Sequence, residues 1–303
     1  MHMKSIVFLD KIKAPFNFDL SAPSSLPWHR SKDACRRVMR LSSGKLVLVS
    51  VKDVGTIEKP KLEISVESYL EISSKDVKEV ARKISRIFSL DQDLTEFYSL
   101  AKEDIILKRI IHDFYGMRGY TEPTVFETIV ICVLEQQLNL GVSKKIRELL
   151  IKNFGEKLEI SNQIYYAFPS PETLSKADIR QLRKCKLSRN KASCIRRVSE
   201  SMVKGEFDPE ELEKLPNEEI KEKLMKFKGI GRWTAEYILV RGLGRNVIPA
   251  DDLALQKAIS EFYFNGKKLS DQEIKEFAQR WGNHLGITAF YLLRARGRAK
   301  KVM

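Results

Sequence analysis

The chain has 303 residues, 43% hydrophobic and 31% charged, enough to bury a core in one large domain or a few small ones. Its longest unbroken apolar run, Ile129–Leu134, is too short to cross a bilayer, and the N-terminal run Ile6–Leu9 is too short for a signal-peptide core. No membrane partner is expected, and an intracellular location is. The formal charge of +14 favours a polyanionic partner, because Lys and Arg displace counterions from phosphates, although a solvated basic surface gives the same number. The surplus is spread out, except for clusters at Arg180–Arg197 and Arg294–Lys301. The second could be an arm for that partner or a solvated terminus.

Cys35, Cys132, Cys185 and Cys194 contain no C-x-x-C pair, and fit neither a disulfide framework, a zinc site nor an iron–sulfur cluster. His2, His29, His112 and His284 are scattered without metal-ligand spacing, so no metal is expected.

Residues 1–95 read as an α+β domain with an antiparallel sheet. Phe16, Phe18 and Leu20 alternate with polar residues, as do Leu62, Ile64 and Val66, and Leu46–Val51 is a β-branched-rich run. Ser74–Phe88 then has helical spacing, with Ser73 or Ser74 as cap. From 96 to 303 the pattern is helical almost throughout. Helices are expected over Phe126–Leu140, Lys144–Phe154, Leu174–Leu182, Arg189–Lys204, Asp208–Leu215, Glu218–Phe227, Leu253–Phe262, Asp271–Trp281 and Thr288–Arg296.

The most informative stretch lies within 218–242. Ile220, Leu224 and Phe227 share one helical face, Lys228–Gly231 interrupts it, and Trp233, Tyr237 and Val240 resume the spacing. Two short helices joined by Gly229-Ile-Gly231 make a helix–hairpin–helix. Glycines permit positive φ and keep side chains out of the way, so the N–H groups of the turn and of the second helix can converge on an anion such as a DNA phosphate. A helix C-cap followed by a new N-terminus gives the same local pattern.

The loop downstream narrows the choice. Pro249-Ala-Asp251-Asp252-Leu253 opens another helical pattern. The hairpin and this loop together resemble the helix–hairpin–helix DNA glycosylase superfamily. Gly229-Ile-Gly-Arg-Trp-Thr-Ala235 with Pro249-Ala-Asp-Asp252 is similar to the AlkA-type 3-methyladenine glycosylases, as are Phe114–Arg118 and Val133–Leu138 upstream.

The resemblance implies double-stranded DNA with a damaged base as partner, a monomer as the working unit, and a base flipped out of the helix. It assigns catalysis to Asp252, whose carboxylate would stabilise the cationic sugar as the N-glycosidic bond breaks, and orient a water. One of Asp251 and Asp252 is expected to be a helix N-cap. Strand-cutting members carry a lysine two residues after the second hairpin glycine. Here that residue is Trp233, which implies a monofunctional enzyme. Trp233 and Tyr237 match aromatics that line the base pocket, where they would hold a cationic alkylated purine, although an i, i+4 aromatic pair also suits a core. His284 replaces a pocket tryptophan; it would hydrogen-bond a base edge or lie on the surface. Phe16 and Phe18 could reach the pocket or fill the core. Gln136, Gln137 and Leu138 match the wedge that fills the gap left by the flipped base, with Gln137 or Leu138 at the tip. Lys228, Gly229, Gly231, Arg232 and Thr234 would contact DNA. No organic cofactor is expected; a monovalent cation on the hairpin carbonyls is compatible with the resemblance. Activity on oxidised or deaminated purines, or a non-catalytic DNA-binding role, are the alternatives.

Overall fold

The computed structural model describes residues 2–119 and 121–302, the side chains of 300–302 excepted. The N-terminal part contains β1 (Met3–Leu9), α1 (Phe18–Ser21), β2 (His29–Arg30), β3 (Ala34–Arg40), β4 (Leu46–Asp53), β5 (Leu62–Ser68) and α2 (Ser74–Ile87). The five strands form an antiparallel sheet in the order β1-β5-β4-β3-β2. Register pairs Val49 with Val66 and Val51 with Ile64, so one face is continuous β-branched surface. Val80, Ile84 and Ile87 of α2 join that face in one core. Burying a side chain of this size stabilises by about 1.5–3 kcal/mol. A capping box between Ser73 and Asp76 starts α2.

Phe16–Leu20 is not a strand. Asn17 accepts from the Leu20 N–H at 3.1 Å and starts the helical turn α1. The alternation there reflects Phe16 and Phe18 entering the sheet-domain core beside Phe88, so neither phenylalanine reaches a pocket.

The remainder runs α3 (Thr95–Lys102), α4 (Ile105–Asp113), α5 (Val125–Glu135), α6 (Leu140–Phe154), β6 (Lys157–Ile160), β7 (Gln163–Tyr166), α7 (Pro171–Lys176), α8 (Ile179–Lys184), α9 (Arg189–Val203), α10 (Asn217–Met225), α11 (Arg232–Leu243), α12 (Leu253–Tyr263), α13 (Asp271–Ala278) and α14 (Leu285–Val302). Pro209–Lys214 and Gln279–His284 are 3-10 turns. The helix expected over Leu174–Leu182 is two helices, because Asp178 caps a new one at Ile179.

The pair β6–β7 interrupts the expected helical run. Ser161 and Asn162 have φ of 51° and 60°, as a tight hairpin turn requires. Its Ile160 and Tyr165 pack on Val38 and Leu48 of the large sheet, on the side away from α2.

The helices build two cores. One surrounds α5, whose residues Val125–Leu134 are all buried, and includes residues of α6, α9, α10 and α11. Gly242 lets α11 approach α5 closely, since a Cβ there would stand 3.2 Å from Thr128. The other joins α3, α4, α12, α13 and α14 around Phe97, Leu107, Leu255, Trp281 and Tyr291.

A chain of buried charges ties the sheet to α11. Arg37 on β3 holds both carboxylate oxygens of Glu127, at 2.9 and 3.1 Å, with Glu122 3.7 Å away. Glu122 faces Arg147, Arg147 pairs with Glu135, and Glu135 accepts from Arg241 at 2.6 Å. Burial pushes the Glu127 carboxyl above its ordinary value against the pull of Arg37. Burial also acts on Glu135, but the charges of Arg241 and Arg147 outweigh it and hold that carboxyl below its ordinary value.

The basic C-terminal segment is part of the fold. Arg294 donates to the Leu20 carbonyl, Arg296 pairs with Glu261 at 2.7 and 2.8 Å, and Arg298 lies 3.9 Å from Asp113. Side chains from 300 onward lie outside the described residues. Among the described residues no helix is long and apolar enough to cross a membrane.

Candidate active site

The hairpin forms as its sequence requires. Gly229 has φ +111°, and a Cβ on it would stand 2.9 Å from the Cys194 Cβ on α9. Gly229 is therefore fixed by both backbone and packing. Gly231 is different: its backbone is extended, and nothing lies within 4 Å of the position a Cβ would take. It heads α11 without a side-chain cap. The first N–H groups of a helix have no intrahelical acceptor, so this uncapped, uncovered end suits an anion.

The hairpin is braced by side chains that local pattern does not reveal. The Gln136 amide donates to Gly229 O at 2.7 Å and to Thr234 Oγ1 at 2.8 Å. Arg197 donates to Lys228 O at 2.7 Å. Lys191 donates to Leu134 O and Gln136 O at 2.8 and 2.6 Å, closing the C-terminus of α5. Gln136 is thus a brace between α5 and the hairpin. Thr234 is buried and its hydroxyl is engaged by Gln136, so its side chain does not present itself to DNA. A cation on the carbonyls of Lys228 and Gly229 would share them with these two donors.

Gln137 and Leu138 are exposed, next to the exposed Leu140. Gln137 has φ +54°, an uncommon conformation for a side-chain-bearing residue, and stands at the turn between α5 and α6. Lys228 and Arg232 are also exposed, with Arg232 Nε 3.1 Å from Glu236 Oε1.

Asp252 is the N-cap of α12. Its Oδ1 accepts from the Leu255 N–H at 2.7 Å, and its Oδ2 accepts from the Trp233 indole N–H at 2.9 Å. Only 8% of the residue is exposed. Cap and candidate acid therefore coincide in one residue, where the sequence alone divides them between Asp251 and Asp252. Asp251 is half-buried with Oδ1 unpartnered; burial pushes its pKa up, opposed by the charge of Arg232.

The Trp233 and Tyr237 rings pack at 4.6 Å between centroids, tilted by 39°. A planar ligand would stack on an outer face rather than between them. Burial first, and the charge of Asp252 second, push the Tyr237 phenol well above its ordinary pKa. The structure brings Asp252, Trp233 and Tyr237 together.

His284 is placed elsewhere. It faces Phe97, with ring centroids 5.9 Å apart, and lies 3.9 Å from Glu96. It lines a cleft of about 230 Å³ with Val240, Arg241, Asn246, Ile287 and Phe290. That cleft follows the C-terminal half of α11, from Val240 onward, and neither Trp233 nor Asp252 lines it.

Residues 130–284 match the HhH-GPD superfamily base excision DNA repair protein family, and residues 18–129 match the 8-oxoguanine DNA glycosylase N-terminal domain. A DNA-3-methyladenine glycosylase of Bacillus subtilis is 33% identical over 71% of this chain and 72% of its own length. A solved 3-methyladenine DNA glycosylase from Archaeoglobus fulgidus is 31% identical, covering 95% of this chain and 97% of that one, with a TM-score of 0.84. A probable N-glycosylase/DNA lyase of Methanothermobacter thermautotrophicus is 22% identical over 89% of this chain and 88% of its own. The chain belongs to the HhH-GPD superfamily of base excision DNA repair proteins.

Proposed function

We propose that this protein is a monofunctional DNA glycosylase that removes alkylated purines such as 3-methyladenine and leaves an abasic site. The observation that carries the reading is the carboxylate of Asp252, nearly dry, held at both oxygens, beside the Trp233–Tyr237 pair.

The C1′–N bond breaks with its electron pair leaving on the base. Positive charge grows on the sugar, and the fixed anion of Asp252 lowers that barrier most where water does not dilute its field. Both carboxylate oxygens accept hydrogen bonds, and the carboxylate keeps lone-pair capacity, so Asp252 can also orient the water that adds to C1′ and take its proton. Stacking on the aromatic pair favours a base that is already cationic. Trp233, not a lysine, stands beside Asp252. With an indole at the position where strand-cutting members carry the lysine, this reading makes water the nucleophile and leaves the strand whole. The 3-methyladenine glycosylases of B. subtilis and A. fulgidus support the alkylated substrate.

A second reading, an oxidised purine, draws on the N-terminal match to an 8-oxoguanine glycosylase domain. Duplexes carrying 3-methyladenine, hypoxanthine or 8-oxoguanine separate the two. Release of 3-methyladenine well above the others is expected, and release of 8-oxoguanine alone would favour the second reading. Asp252→Asn should lose about 100-fold or more in base release with duplex binding intact; a wild-type rate would refute the role of Asp252. A covalent adduct on borohydride treatment of wild-type enzyme with substrate would refute the monofunctional assignment.

A further inference from the structure

The exposed cations of α8 and the α8–α9 turn have no part in the site around Asp252. Arg180, Arg183 and Lys184 are exposed at i, i+3 and i+4, on one face of α8, while Leu182 and Cys185 turn into the core. Lys186 comes next, at φ +68° in the turn, and Arg189 begins α9. Among the described residues none of these five makes an ion pair. Asp178, the nearby acid, has its carboxylate engaged by the Arg180 N–H at the head of α8. Like charges at i, i+4 destabilise a helix by a few tenths of a kcal/mol per pair, and no acid offsets them here.

Their placement distinguishes them from other exposed cations. The first turns of α9 are the platform of the DNA grip. A Cβ on Gly229 would stand 2.9 Å from the Cys194 Cβ and 4.0 Å from Asn190 O, Arg197 holds Lys228 O, and Lys191 holds the carbonyl of Gln136, one residue from the Gln137 tip. Arg189 is next in sequence to Asn190. Along the chain, the cations thus lead back from the first turn of α9, the helix that braces the hairpin, through the α8–α9 turn to α8. Duplex DNA carries one phosphate per 3.4 Å of axis on each strand, so a duplex seated on the hairpin has further phosphates to meet such a strip.

We infer that Arg180, Arg183, Lys184, Lys186 and Arg189 form a second contact with the phosphate backbone of the same duplex, extending the footprint beyond the hairpin without reading sequence. This rests on the hairpin being the DNA grip, and not on which lesion is removed.

The test measures binding of the full chain to an undamaged duplex across a salt series, so a wrong lesion assignment leaves it valid. Replacing Arg180, Arg183 and Lys184 together by Gln should make the log Kobs against log [salt] slope shallower by about 2–3, because each phosphate contact contributes about 0.9. Single-turnover base release at saturating enzyme should be unchanged. The same charge removed from α2, at Lys75, Lys78 and Arg82, controls for net charge and should leave the slope as it was. These positions are all exposed, so folding is retained. A wild-type slope in the α8 variant, or an equal loss in both variants, would overturn the inference.

Discussion

Trp233 and Asp252 stand on helices of different cores and meet through a hydrogen bond. Trp233 stands on α11, which packs around α5, and Asp252 caps α12, which packs with α3, α4, α13 and α14. The indole N–H reaches Oδ2 at 2.9 Å across that seam. The position that holds an attacking lysine in lyase members thus holds a donor that orients the carboxylate. Trp233→Phe keeps a ring and deletes the donor. A hydrogen bond to a charged group is worth about 1.5–3 kcal/mol, so base release in single turnover should fall about 10- to 100-fold with duplex affinity little changed. An unchanged rate would show that the indole N–H does not position Asp252.

The two hairpin glycines separate stability from binding. Gly229→Ala faces both a positive φ and a Cβ 2.9 Å from Cys194, and should cost about 2–5 kcal/mol in denaturant unfolding. Gly231→Ala meets neither obstacle, so its stability should change by no more than about 1 kcal/mol. Its new methyl group would cover the open end of α11 and weaken DNA binding about tenfold or more. Wild-type affinity in Gly231→Ala would mean that phosphate does not approach there.

The adjacent glutamines should also part company. Gln136→Ala removes two hydrogen bonds that hold the hairpin and should destabilise by about 1–3 kcal/mol. Gln137→Gly relieves a positive φ at an exposed tip and should leave the melting temperature equal or higher. Base release from duplex should nevertheless fall, because nothing fills the gap in the stack, while release from single-stranded DNA should not. An equal fall on both substrates would remove Gln137 from the role of wedge.

These contrasts mark what the chain discloses locally. The glycines, Asp252 and Trp233 lie close together in the chain, in a pattern whose chemistry is tied to spacing, and they are legible. Gln136 reads as part of the wedge because its partner, Gly229, is 93 residues away. Lys191 and Arg197 fall within a basic cluster whose sequence does not say which cations close a helix end and which face solvent. Phe16–Leu20 alternates like a strand although Asn17 caps a helical turn, and β6–β7 is hidden by four-residue strands inside a helical region. The reading of His284 rests on a single matched position, and the packing of Phe97 carries it to the far end of α11.

Asp76 in the sheet domain should contribute to acid sensitivity. Its carboxylate accepts from Lys45 Nζ at 2.8 Å, from the Ser73 N–H at 2.9 Å and hydroxyl at 2.8 Å, and from the Ser43 hydroxyl at 3.1 Å. Led by Lys45, these donors hold the folded-state pKa well below the ordinary 3.8. The unfolded chain binds a proton near pH 3.8 and the folded chain only at lower pH. Stability from this group is therefore fully present above about pH 4 to 5, and is lost as pH falls through the folded-state value. Asp76→Asn should cost about 2 kcal/mol at pH 7. The gap between variant and wild type in urea unfolding should be constant from about pH 7 to 5 and shrink below about pH 4. A gap that is the same at about pH 3 as at pH 7 would show that the charge of Asp76 contributes nothing beyond its hydrogen-bonding shape.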